Sequence, residues 1–181
     1  MISKVKSVYH IDRDQAKEHL RVEDDYKDDD RIIDRLIKAA HAIAETKIGK
    51  DIAKTTNVLT RYDFAGGIIR VNEGNLISIT AISVKETETP LENFTTYVYR
   101  DYFKIVLDDY IDTDELTITF ETGFDKDLCP WDIQQAILMK IADLYDIDRA
   151  SSVISNMKET GAFDRLLTPY VSLIITNERE N

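Results

Sequence analysis

Three histidines, one cysteine and two runs of acidic residues are the side chains of this sequence that could bind a metal, carry a proton or attack a substrate. The histidines are His10, His19 and His41, and no two stand at the HxxxH spacing that puts paired ligands on one helix face. A zinc site would need Cys129 and residues scattered along the chain. His41 falls at the edge of an apolar helical stripe, where a packed or solvated boundary residue accounts for it. The runs Asp24 to Asp30 and Asp108 to Glu115 have the oxygen ligands that calcium prefers. An EF-hand loop also needs Gly at its sixth place and Glu at its twelfth; counted from Asp24 those places hold Asp29 and Arg35. The second run has no suitable Gly either, so both read as solvated loops. No GxSxG elbow is present, and Cys129 has no plausible base beside it. Gly66-Gly67 is a turn and not a phosphate loop. The expected catalytic, cofactor-binding and metal-ligating sets are therefore empty.

Charge narrows the partners. The 181 residues carry 23 Lys and Arg against 34 Asp and Glu, a net charge of −11. A protein that grips duplex DNA needs phosphate-neutralising cations, and this chain on average repels DNA. The excess suits solubility, or a wall past which DNA slides without sticking. A single cysteine excludes an intrachain disulfide and fits a reducing compartment. The start of the chain has no apolar signal-peptide core, and no apolar run approaches the ~18 residues of a membrane span. The expectation is a soluble protein made in the cytosol.

Helical patterns lie at both ends, with strands between. Asp12 followed by Gln15 is a capping-box pair that opens a short helix through about Leu20. The aspartates ending the first acidic run complement the dipole of a second helix, about Asp30 to Ile48. At 100° per residue Ile32, Ile33, Leu36, Ile37, Ala40, Ile43, Ala44 and Ile48 share one side, while Asp34, Arg35, Lys38 and Glu45 share the other. Gly49 stops it. From about Thr55 to Thr122 the period is two. Val58, Thr60, Tyr62 and Phe64 alternate with Asn57, Leu59, Arg61 and Asp63. In Leu76 to Lys85 the apolar face switches near Ala81-Ile82, which predicts a bulge. Tyr97 to Arg100, Phe103 to Leu107 and Leu116 to Phe120 are further strands. Pro130 opens a third long helix, with Ile133, Ile137, Ile141, Leu144 and Tyr145 as its main stripe. Trp131, Leu138 and Ala142 widen the stripe, and Met139 lies on the opposite, acidic side. That is more apolar surface than one packed face needs. A short helix from Phe163 to about Leu167 ends at Pro169-Tyr170, followed by the apolar segment Val171 to Ile175.

Several segments, taken in order, resemble the tailed-phage head–tail connector family (head-completion or adaptor proteins). The chain opens with Gln15-Ala16-Lys17-Glu18-His19-Leu20-Arg21-Val22, an acidic cluster and an Ile/Ala-rich helix. The strand Leu116-Thr117-Ile118-Thr119-Phe120-Glu121-Thr122-Gly123 then leads to Pro130 and the helix Ile133-Gln134-Gln135-Ala136-Ile137-Leu138. Leu166-Leu167-Thr168-Pro169-Tyr170 matches the family's Leu-Leu-x-Pro-Tyr close. The likeness runs from about Asp12 to Tyr170. It departs from the family in its long strand-rich middle, in Asp146-Ile147-Asp148-Arg149 where an Asn-Arg pair is common, and in a tail from Val171 to Asn181.

The resemblance implies a structural subunit of a ring of about a dozen copies, head-to-tail around the axis, docked below the portal. Such a ring extends the DNA channel and joins head to tail, with the portal protein and a tail or tail-completion protein as partners. DNA would pass without sequence-specific binding, no membrane would be involved, and the site of action would be the virion after assembly in the host cytoplasm. The free subunit could be monomeric. The expected fold is α+β, with helices from both chain ends packed together and a mostly antiparallel β region inserted between them. One connector domain spans 1–181, helical at 12–50 and 130–170, β-rich at about 55–122, with a C-terminal tail at 171–181. The candidate subunit or portal interface is Trp131, Leu138, Met139, Ala142, Val171, Leu173, Ile174 and Ile175. Two alternatives stand beside this. A small cytosolic enzyme or ligand-binding domain, with a site built from scattered residues, predicts a deep pocket of convergent polar groups instead of flat apolar patches. A different virion component, such as a tail-completion protein, fits the opening and the Pro-Tyr close less well.

Overall fold

A computed structural model describes residues 1–85, 91–125, 127–149 and 161–173. Among the described residues, four helices and a five-stranded antiparallel sheet make an α+β fold. The chain divides into two compact units: the described residues of Met1–Val8, Lys50–Asp125 and Ser172–Asn181 form one, and those of Tyr9–Gly49 and Lys126–Val171 the other.

The second unit is helical. Its first helix, α1 (Arg13–Leu20), starts on the expected capping box: the Gln15 amide donates to Asp12 Oδ1 at 2.9 Å, and the Asp12 amide donates to Gln15 Oε1 at 3.0 Å. Two otherwise orphaned amides are satisfied in this way. Helix α2 (Asp30–Ile48) runs to Gly49, whose φ of 71° places it in the left-handed C-cap conformation. Helix α3 (Trp131–Arg149) follows Pro130, and α4 (Ala162–Leu167) passes into a 3₁₀ turn, Thr168–Tyr170. Helices α2 and α3 pack against each other, with α1 against both and α4 against α3.

The buried face of α2 is rotated from the hydropathy stripe. Ile33, Leu36, Ile37, Ala40, Ala44 and Ile48 are buried as expected, but so are His41 and Glu45, while Ile43 is 38% exposed. Hydrogen bonding explains the inward histidine: the His10 amide donates to His41 Nε2 at 3.2 Å, and Nδ1 lies 2.8 Å from the Ile37 carbonyl. An imidazole that accepts at one nitrogen and donates at the other can be buried without an orphaned polar atom.

The first unit holds the sheet. Strand β1 (Ile2–Val8) pairs with β2 (Lys54–Val71), and β2 pairs along its length with β5 (Phe103–Thr122). Strands β3 (Leu76–Val84) and β4 (Phe94–Val98) both pair with β5. The sequence pattern did not predict β1, whose short polar run Ser-Lys-Val-Lys is half exposed. Strand β3 slips register between Ile79 and Ala81, beside the predicted bulge.

Two expected strands, Phe103 to Leu107 and Leu116 to Phe120, are one strand, and Asp108 to Glu115 lies within it instead of in a loop. A change of phase causes the illusion. Phe103, Ile105 and Leu107 point into the core at odd positions, whereas Leu116, Ile118 and Phe120 do so at even ones. Between them the β2–β5 register jumps, with Gly66 opposite Ile111 but Ile68 opposite Val106. The extra residues on β5 bulge outward and flip which side chains face in.

In β2 the buried set is the less apolar one: Thr55, Asn57 and Leu59 face in, and Tyr62 is exposed. The Thr55 hydroxyl and the Asn57 amide nitrogen are bonded internally, while Asn57 Oδ1 is buried without a partner among the described residues. Thr55 Oγ1 donates to the Ala53 carbonyl at 2.8 Å, and Asn57 Nδ2 donates to Thr122 Oγ1 at 2.7 Å.

Candidate interaction surfaces

The start of α3 carries the most exposed aromatic residue of the helical unit. Trp131 is 81% exposed, and Leu128 beside it is also largely exposed. The backbone beneath is firmly held, since the Pro130 carbonyl accepts from the Ile133 and Gln134 amides and Gln134 Nε2 donates to the Cys129 carbonyl at 2.8 Å. Cys129 is buried under this turn, and burial pushes its thiol up to about 12. At that value the sulfur is neutral and inert.

Trp131 and Leu138, two of the four candidate interface residues on α3, line the same open groove of about 440 Å³, with Gln134 and Gln135 between them and Gln15 and His19 opposite on α1. The structure thus brings these two together. Met139 and Ala142 are half-buried elsewhere on α3. Val171 is half-buried after the 3₁₀ turn. Leu173 belongs to the sheet unit; its side chain is exposed and its amide donates to Asp101 Oδ2 at 3.1 Å. Ile174 and Ile175 lie outside the described residues.

Two polar clusters that the sequence reading missed are closed networks. In the helical unit Lys17 is fully buried, with Nζ 2.6 Å from Asp30 Oδ1 and donating to the Tyr26 carbonyl at 2.6 Å. The first acidic run is thereby tied to α1 by a buried cation. This hydrogen bond from Lys17 is the main influence holding the Asp30 carboxyl below its ordinary range. On the same helix, Arg13 bonds Asp34 and lowers it likewise.

In the sheet unit Lys4 Nζ reaches Asp51 at 3.0 Å and Glu73 at 2.9 Å, while Thr122 Oγ1 donates to Asp51 Oδ2 at 2.6 Å. Burial raises Glu73 against the opposing pull of Lys4. Burial also opposes the charge on Lys4, but bonding and attraction from Glu73 and Asp51 outweigh it and raise that amine. These groups face one another. Among the described residues, no cluster of three or more His, Cys, Asp and Glu is arranged to hold a metal, and no helix is long and apolar enough to cross a membrane.

The missed surface lies at the β4–β5 turn. Tyr99 and Tyr102 stack at 4.5 Å with 16° between their planes, Arg70 sits 4.3 Å above the Tyr102 ring, and Lys104 Nζ lies 6.0 Å from the Tyr99 centroid. Its signal in the sequence is the aromatic and basic alternation Tyr97-Val98-Tyr99-Arg100-Asp101-Tyr102-Phe103-Lys104.

Among the described residues, the groove beside Trp131 is open to solvent and several aromatic side chains are exposed. No family model matches the sequence, and no curated protein matches it. Solved structures do match, over 99% of this chain and 100% of the other in each case. A chain from the neck of an empty gene transfer agent particle, computed with C6 symmetry, is 18% identical with a TM-score of 0.76. One from the virion of the native gene transfer agent particle is 17% identical with a TM-score of 0.76. A third, from the neck of the native particle computed with C12 symmetry, is 16% identical with a TM-score of 0.71. End to end, this chain has the fold of those particle proteins.

Proposed function

We propose that this chain is a structural subunit of a phage-type head–tail connector, a ring that docks below the portal, extends the DNA channel and joins head to tail. The observation that carries the reading is full-length agreement of fold, both chains covered almost completely, with proteins of a particle neck. The ordered sequence segments from Asp12 to Tyr170 support it independently. In this reading both units serve one connector domain, and the chain has no catalytic residue.

Its partners would be further copies of itself in a ring of about a dozen, as the C12 symmetry of one neighbour suggests, together with a portal protein and a tail or tail-completion protein. Trp131 and Leu138, flanked by Met139 and Ala142, would form a contact between subunits or with the portal. The segment Val171 to Ile175 would dock on a neighbouring ring. The −11 charge lets DNA pass without being held. The protein would act in the virion, at the head–tail junction, after assembly in the host cytoplasm.

Native mass spectrometry of the chain, alone and with a portal ring, tests the reading. The expected result is a discrete ring of this chain bound to the portal, whether or not the free chain is monomeric. A chain that stays monomeric and leaves the portal unoccupied would overturn it.

A further inference from the structure

We propose that the outer face of the sheet where β4, β5 and β2 lie side by side is half of a subunit contact, seating the aspartate ridge at the far end of β5 in a second copy of this chain. The inference rests on the ring reading and names the surfaces that would close the ring.

Strand register sets out the first surface. Phe103, Ile105, Ile69 and Val71 point into the core, so Lys104, Tyr97 and Arg70 point out. Tyr97 is paired with Lys104, and Lys104 with Arg70, giving one cross-strand row of an aromatic and two cations. One step along, Thr95, Val106 and Ile68 form the next row, and Ile68 is 63% exposed. The turn beyond adds the stacked Tyr99 and Tyr102 and the exposed Arg100. Asp101 is the sole carboxylate between residues 94 and 107; it is shared between Lys50, at 2.6 Å in a mostly buried pair, and Arg100, at 3.9 Å. In a chain of net charge −11, this end of the sheet is positive.

The second surface is its complement. Where the β2–β5 register jumps, Asp108, Asp109 and Tyr110 are thrown outward, and Tyr110 is 72% exposed. Asp112 and Asp114 follow on β5, and Asp63, with a φ of 51°, lies on β2 between Tyr62 and Phe64, the partners of Glu115 and Thr113. All five aspartates are exposed, and none is in an ion pair among the described residues. An aspartate ridge bearing an exposed tyrosine is what a row of cations flanked by tyrosines would recognise.

One copy cannot bring its own two surfaces together. Lys104 and Asp112 are on the same strand, and their β2 partners Arg70 and Ala65 are separated by roughly 17 Å at ~3.3 Å per residue. A two-fold contact would give both surfaces of each copy to one partner and close as a dimer, whereas a head-to-tail contact gives each surface a different neighbour and repeats around a ring. The ring reading selects the second form, and a closed dimer in the native mass spectrum would overturn it. Duplex DNA is the weaker fit. Three cations would release only about three counterions, and the aspartates on the same ribbon repel phosphate.

The test is reciprocal charge reversal. One variant carries Arg70→Glu, Arg100→Glu and Lys104→Glu; the other carries Asp109→Lys, Asp112→Lys and Asp114→Lys. Assembly of each alone, of both mixed, and of wild type is followed by native mass spectrometry with and without a portal ring. Each variant alone should lose ring formation, with self-association at least ~10-fold weaker. The equimolar mixture should recover rings in which the two variants alternate, with even subunit numbers only. Rings from either variant alone, or no recovery on mixing two variants that melt like wild type, would overturn the pairing and leave the connector reading standing. A wild-type chain that forms no ring even with portal present would overturn both. Retention of duplex DNA by wild type, lost on reversal of the cations while rings persist, would assign the face to nucleic acid and also overturn the pairing.

A second measurement does not depend on the triple variants folding. Single Tyr97→Cys and Asp112→Cys chains, with native Cys129 buried, should form a disulfide with each other when mixed and none with themselves. Self-linking alone would overturn the head-to-tail geometry.

Discussion

Gly123, at the exit of β5, gives the sharpest test of how the sheet unit is held. Its φ of +100° is open to glycine and strained for other residues, and a Cβ built there would sit 2.3 Å from the Ala53 carbonyl oxygen and 2.9 Å from that of Ile52. Both contacts are backbone, so neither can swing aside. Making room would also disturb the Gly123 amide bond to the Asn75 carbonyl and the Phe124 amide bond to the Ile52 carbonyl, each 3.0 Å. Backbone strain of about 1–3 kcal/mol joins about 1 kcal/mol for each weakened hydrogen bond. Gly123→Ala should therefore lose roughly 3–5 kcal/mol, a drop in Tm of roughly 6–20 °C for a chain of this size. Calorimetry and circular dichroism on purified protein would measure it. Two controls isolate the cause. Gly161→Ala meets nothing within 4 Å at a φ of +47°, so it should lose only about 1 kcal/mol of left-handed strain. Gly66→Ala meets its nearest atom at an ordinary 3.6 Å and should be near neutral. If Gly123→Ala melts no lower than Gly161→Ala, the carbonyl wall around Gly123 is not rigid and the reasoning fails.

Three further outcomes are expected. Lys17→Met should free the first acidic run from α1, raising amide exchange at Tyr26 and Asp30 by on the order of tenfold, and unchanged protection would show that the buried ammonium does not hold that loop. Arg13→Gln removes the bond that lowers Asp34, a group whose folded-state protonation lies below its unfolded value, so its stabilisation is full above about pH 5 and drains as pH falls through the lowered range. The stability gap between wild type and variant in urea titrations should be constant near neutrality and close below about pH 4; a gap that widens in acid contradicts the sign. Cys129, with its thiol pushed up to about 12, should resist a disulfide reagent in the native protein and react stoichiometrically once unfolded, whereas rapid native labelling would show that the turn before α3 is open.

The helices were legible because each has a local signature. Asp12 with Gln15 marks the start of α1, Gly49 the end of α2 and Pro130 the start of α3, and all three structural boundaries fall there. The face of α2 was less legible, because His41 and Glu45 turn inward and a hydropathy scale cannot foresee an imidazole satisfied by His10 and Ile37. The strands failed where non-local pairing decides. β1 is a half-exposed edge strand set by its partner β2, and β5 changes phase in mid-strand, so its two apolar runs looked like separate elements. Among candidate site residues, Trp131 and Leu138 share a groove, as surplus apolar surface on one helix would suggest. The basic and aromatic turn from Tyr99 to Lys104 was overlooked because its cations converge from β2 and β5, which lie far apart in sequence.

The pairing of β2 with β5 sets a schedule for synthesis. Thr55 leaves the ribosome well before its partner Thr122, roughly 3–13 s earlier at ~5–20 residues per second. Until then β2, 18 residues long, has no inner neighbour, and the Leu59, Ile69 and Val71 side chains have no core to enter. Ribosomes queued on one message carry the same strand in the same unpaired state. A cell making many copies at once therefore needs holdase chaperones during that interval, and slow codons between residues 72 and 102 would raise the yield of aggregate instead of folded chain.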